Sequence, residues 1–79
     1  MIAPLLLERK MTDYIRPDAR LHRSGDGAYL RRLVRESGFS PEAAAARIGV
    51  GARTMRHWLA DNPFPYSAQY ALERLARGV

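Results

Sequence analysis

The chain has 79 residues, enough for one small domain and too few for a second core. Hydrophobic residues at 47% and charged residues at 27% fit an ordinary folded domain, and the lack of cysteine excludes a disulfide scaffold, a thiolate metal site and a cysteine nucleophile. Thirteen Lys and Arg against eight Asp and Glu leave a formal charge of +5 and an isoelectric point near 10.4, which favours polyanionic partners, nucleic acid first.

Residues 1–25 are expected to form a basic arm or linker. They include Pro4 and Pro17, lead into the breaker run Ser24-Gly25-Asp26-Gly27, and hold no sustained period. The stretch from Met1 to Leu7 is apolar but short, lacks a basic start and runs straight into Glu8-Arg9-Lys10. It fits neither a signal peptide nor a spanning helix of about 20 apolar residues, so a cytoplasmic protein without a membrane partner is expected. Leu7, Met11, Tyr14 and Ile15 have helical spacing, which predicts a short helix over Leu5–Ile15 that stops before Pro17. Arg9, Lys10, Arg16, Arg20 and Arg23 against Glu8, Asp13 and Asp18 give the arm a charge of +2, five minus three. Two readings of it stay open: arginines that reach a minor groove, or a solvated tail.

Residues 26–79 read as the domain. Asp26 is an N-cap for a first helix with Leu30, Leu33 and Val34 on one face, Tyr29 beside them, and Arg31, Arg32, Arg35 and Glu36 opposite; Gly38 ends it. Ser40-Pro41-Glu42 supplies a cap, a first-turn proline and an acid at the positive end of the dipole, opening a run through Ile48 that Gly49 stops. A third helix runs from Ala52 to Ala60, and Asn62-Pro63-Phe64-Pro65 breaks the chain. Ser67 is the expected cap of a fourth helix reaching Arg77, with Ala68, Ala71, Leu72, Leu75 and Ala76 as its buried stripe. There is no strand alternation, repeat or heptad array, so the fold class is all-α: a helix-turn-helix domain of four to five short helices behind an N-terminal arm.

The segment Ser40 to Asp61 has the helix-turn-helix layout. Ala45 is small where the helices meet, Gly49 makes the turn, Val50 plugs it, and Met55 and Trp58 are expected to pack inward against Ala44 and Ile48. The opposite face of the second motif helix then presents Ala52, Arg53, Arg56 and His57. Arginines placed there can bind guanine O6 and N7 together, and Ala52 can touch a thymine methyl. The bland reading of the same face is a solvated charged surface. His57 alone, or His22 with Asp18, lacks the convergent ligands of a metal site and the base-and-orienter set of a nucleophile. No enzyme activity, metal, cofactor or small-molecule substrate is therefore expected.

The pattern is more specific than a generic motif. Tyr29-Leu30-Arg31 with Leu33, Gly38-Phe39-Ser40, Ala44-Ala45, Gly49, Arg53, Met55-Arg56, Pro65-Tyr66-Ser67, Gln69-Tyr70-Ala71-Leu72-Glu73 and Leu75-Ala76 resemble the small anti-CRISPR-associated autorepressors of bacteriophages. These belong to the wider Cro/CI-type repressors. The resemblance covers about two thirds of the chain and implies a homodimer that binds an inverted repeat in the promoter of an anti-CRISPR operon and represses it. It also places Arg53 and Arg56 where that family has its recognition-helix arginines. The chain departs from the pattern at Pro41, Glu42 and Ala43, where relatives carry glutamine or basic residues that contact phosphate. It departs again at Gly51, which lacks the side-chain acceptor of a serine or threonine cap.

The expected sites follow. Ala52, Arg53, Arg56 and His57 contact bases; Arg31, Ser40, Arg47, Gly51 and Thr54 contact phosphates. Phe64, Tyr66, Tyr70 and Glu73 form the dimer contact, the aromatics being favoured in interfaces, although the same tyrosines can equally cover the protein's own core. The expected partners are double-stranded DNA and a second copy of the chain, at the nucleoid of a bacterial host. Two alternatives are an antitoxin-type regulator and a small phage module that binds a bacterial protein.

Overall fold

A computed structural model of the chain describes residues 17–78. The helix expected over Leu5–Ile15 and the arm cations Arg9, Lys10 and Arg16 lie outside the described residues. Local signals explain most boundaries. α1 (Gly27–Ser37) begins at Asp26, whose carboxylate accepts from the Tyr29 N–H, and ends at Gly38 in the left-handed region at φ 81°. α2 (Pro41–Ile48) begins at Ser40, whose hydroxyl accepts from the Ala43 N–H, and ends at Gly49 at φ 83°. α3 (Ala52–Leu59) follows after two residues and carries no side-chain cap, because its N-cap is Gly51.

α4 (Tyr66–Ala76) corrects one expectation. Its N-cap is Pro65 and not Ser67, which is exposed inside the first turn. Pro65 is extended at φ −73°, ψ 154°, and its carbonyl accepts from the Ala68 N–H, so the helix starts on a backbone acceptor without a side-chain cap. No strand occurs among the described residues, and the fold is all-α.

The core is one cluster drawn from every helix. Leu30, Leu33 and Val34 of α1 meet Ala44 and Ala45 of α2, Met55 of α3 and Leu72 of α4, with Phe64 from the loop before α4. Leu30, Met55 and Leu72 are fully buried, and Trp58, Leu59, Ile48 and Val50 pack half-buried around them. α1 is the hub: it lies along α4 and touches both α2 and α3. Phe64, expected at a dimer contact, is instead 3% exposed and belongs to this core. Prolines stand on either side of it, and its ring meets that of His22 edge-on at 5.8 Å.

The N-terminal part also departs from a free arm. Residues 17–25 include a 3₁₀ turn over Ala19–Leu21, and they run against α4. The Asp18 N–H donates to the Tyr66 hydroxyl at 2.7 Å, the Arg23 N–H to Gln69 Oε1 at 2.8 Å, and Gln69 Nε2 to the Leu21 carbonyl at 2.8 Å. His22 Nε2 lies 2.7 Å from the Phe64 carbonyl. The Gln69 side chain is completely buried, and these bonds satisfy it, together with one from Nε2 to Glu73 at 3.1 Å. Contacts therefore cross the boundary expected between residues 25 and 26.

Candidate nucleic-acid interface

α3 is held from one side only. Met55 is its fully buried anchor, and Trp58 and Leu59 pack half-buried on the same side. Arg53, Thr54, Arg56 and His57 are all exposed, and Ala52 is half-buried at the first turn. The structure thus brings the four expected base-contacting residues onto one helix and leaves the three largest of them in solvent.

Two junctions fix the pose of that helix. At its start, the Val50 N–H donates to the Ala45 carbonyl at 2.9 Å, closing the turn beyond Gly49. At its end, α1 presses so closely that a Cβ on Gly27 would lie 2.7 Å from the Leu59 carbonyl oxygen and 2.7 Å from the Asp61 nitrogen. Only glycine permits this approach. Asp61, itself at φ 66°, accepts from the Gly27 N–H through Oδ1 at 3.0 Å, and Arg31 Nη1 donates to the Leu59 carbonyl. Asn62 Nδ2 adds a bond to the His57 carbonyl at 2.8 Å. None of these end locks, Gly27, Asp61 or Asn62, was legible as functional in the sequence, because each acts across 5 to 34 residues.

Ion pairs involve most of the acids among the described residues but leave several exposed arginines, Arg35, Arg47 and Arg53, without an acidic partner. Away from α3, the pairs are Asp18 with Arg20, Asp26 with Arg23, Asp61 with Arg31, and Glu36 with Arg32. The Asp18 carboxyl is held below its ordinary range by side-chain and backbone hydrogen bonds from Arg20. Glu73 accepts from the Tyr29 hydroxyl at 2.5 Å, and burial with that bond pushes the Tyr29 phenol up to about 12. On α3, Arg56 meets Glu42 at 3.8 Å, while Arg53 has no acidic partner among the described residues. The N-terminal amides of α3 add partial positive charge beside it, because Gly51 offers no side-chain oxygen to cap them.

The expected phosphate contacts divide. Thr54 and Gly51 are exposed at the start of α3. Ser40 is exposed, with its oxygen capping α2. Arg47 is exposed and lies over the Phe39 ring at 5.0 Å. Arg31 is tied to the end of α3, so its first role is to hold the helix rather than to reach outward.

The expected dimer residues on α4, Tyr66, Tyr70 and Glu73, are half-buried. Tyr66 is half-buried and accepts from the Asp18 N–H, its ring 6.1 Å from that of Tyr70 and 5.9 Å from that of His22. Arg74 donates to the Tyr70 hydroxyl at 3.4 Å, and Glu73 faces Tyr29 and Gln69. These contacts lie within the chain.

Among the described residues, no group of three His, Cys, Asp or Glu side chains could hold a metal ion, and no helix is long and apolar enough to cross a membrane. Neither a family model nor a curated protein sequence matches the chain.

Proposed function

We propose that the protein is a sequence-specific DNA-binding transcriptional repressor that lays α3 in the major groove. One observation carries the reading: Arg53 and Arg56 stand three residues apart on the solvent side of a helix whose other side is pinned by fully buried Met55, and Arg53 has no acidic partner among the described residues. A merely solvated face has no need of such fixed orientation, whereas groove reading depends on it. Arg53, Arg56 and His57 read base edges, Ala52 meets a thymine methyl, and Thr54 with the amides beyond Gly51 meets phosphate.

A single module reads one half-site, so the working form is a homodimer on an inverted repeat, with half-sites about 34–36 Å apart along the duplex. Its contact uses the outer side of α4 near Tyr70, since Phe64 is spent in the core. The resemblance to anti-CRISPR-associated autorepressors supplies the regulatory setting. In that setting the dimer covers the promoter of its own operon in the cytoplasm of a bacterial host.

The test is a gel-shift titration on DNA from upstream of the protein's own gene, against scrambled duplex, at two salt concentrations. Saturable binding that prefers the upstream fragment and weakens steeply with salt is expected, because each neutralised phosphate contributes a slope of about −0.9 in log affinity against log salt. Equal weak binding to both duplexes would overturn the proposal and favour a protein partner.

A further inference from the structure

Arg53 and Arg56 share a helix face but not an environment. Glu42, in the first turn of α2, approaches Arg56 Nη1 to 3.8 Å across the helix-turn-helix, with both side chains about three-fifths exposed, at 60% and 61%. That separation is too long for a hydrogen bond, and at this exposure an ion pair adds little to stability. The position of Glu42 is favourable for α2 itself, since a carboxylate suits the positive end of a helix dipole. Dipole complementarity alone, however, would be met by an acid turned away from α3. Here the carboxylate lies against the reading face, beside one of its two arginines.

We infer that Glu42 is a selectivity element of that face: it competes with DNA phosphate for Arg56 and leaves Arg56 free to engage neutral base edges. The inference rests on the DNA-binding reading of α3. Its physical basis is an asymmetry between the two targets of an arginine. Moving Arg56 from Glu42 to a phosphate exchanges one anion for another and brings carboxylate and phosphate close together, where they repel. Guanine O6 and N7 carry no net charge, so a planar guanidinium with five N–H donors can face guanine while Glu42 remains behind it. The carboxylate therefore penalises backbone contacts, which any sequence offers, more than base contacts. Arg53, with no such neighbour among the described residues, is not restrained in this way.

The test uses Glu42→Gln, which keeps the shape and removes the charge, with the full chain and fluorescence-labelled duplexes: the upstream fragment and a scrambled one of equal length. Affinity for the scrambled duplex should rise about three- to tenfold, as expected from lifting one short-range repulsion, while affinity for the upstream fragment changes by less than about twofold. The ratio between them should fall accordingly. In an Arg56→Ala background the same substitution should have a smaller effect on the scrambled duplex, since the competitor has lost its target. An equal rise on both duplexes, or no change on either, overturns the inference while the DNA-binding reading stands. A wild-type chain with no preference between the duplexes overturns that reading and the inference with it. Circular dichroism of the variant checks the helices, which an exposed charge change should leave intact.

Discussion

The two polar regions of this small domain follow opposite rules. Along the inner side of α4, polar groups are matched within the chain: fully buried Gln69 holds the 3₁₀ segment through Leu21 and Arg23, and Tyr29 donates to Glu73. On the outer side of α3, four polar residues stand in solvent, and Arg53 lacks an acidic partner among the described residues. The comparison separates structure from function. Groups satisfied internally hold the fold, and groups left unsatisfied on a rigid support are available to a partner.

The largest effect expected on the first region is from Gln69→Ala. It leaves the Arg23 N–H and the Leu21 carbonyl without their partner and opens a cavity, and should cost about 2–4 kcal/mol in urea unfolding. DNA affinity of the folded fraction should be unchanged. Gly27→Ala comes next, at about 1–3 kcal/mol, because the new methyl meets backbone atoms of Leu59 and Asp61 that cannot turn aside. This variant links the regions: it shifts the end of α3 and should weaken specific DNA binding as well as stability.

Tyr29→Phe should cost about 1 kcal/mol at neutral pH, the net value of one hydrogen bond. Its pH dependence has a definite sign. Tyr29 holds its proton up to about 12 in the folded chain, against about 10 when unfolded. The native state therefore binds more protons in that window, and the contribution is full below pH 10 and lost as pH rises towards 12. Absorbance at 295 nm should show one late-titrating tyrosine that Tyr29→Phe removes. The smallest stability effect, within about 0.5 kcal/mol, is expected for Arg53→Ala, because Arg53 is exposed and has no ion pair among the described residues. Specific DNA affinity should nonetheless fall about tenfold or more, the cost of one lost bidentate contact.

Local signals made most of the fold legible. Asp26 and Ser40 cap where expected, Gly38 and Gly49 terminate in the left-handed region, and the Leu30, Leu33, Val34 and Met55 positions are buried. The start of α4 was misplaced because a serine suggests a side-chain cap, whereas the Pro65 carbonyl serves. Phe64 was misjudged because an aromatic suits an interface as well as a core, and only the packed helices show it joining the cluster of Leu30, Met55 and Leu72. Helical spacing exposed the α3 face, since burying Met55 turns Arg53 and Arg56 outward. The contacts of Gln69, Asp61 and Glu42 were not legible, because they join residues 14 to 48 apart that only the packed helices bring together.

The most direct test of the central claim is the double variant Arg53→Ala/Arg56→Ala, measured by fluorescence anisotropy on the upstream and scrambled duplexes beside the wild type, with its circular dichroism spectrum recorded in the same buffer. A native helical spectrum with preference for the upstream fragment abolished is the predicted result. A native spectrum with that preference retained would contradict it and remove α3 as the reading helix.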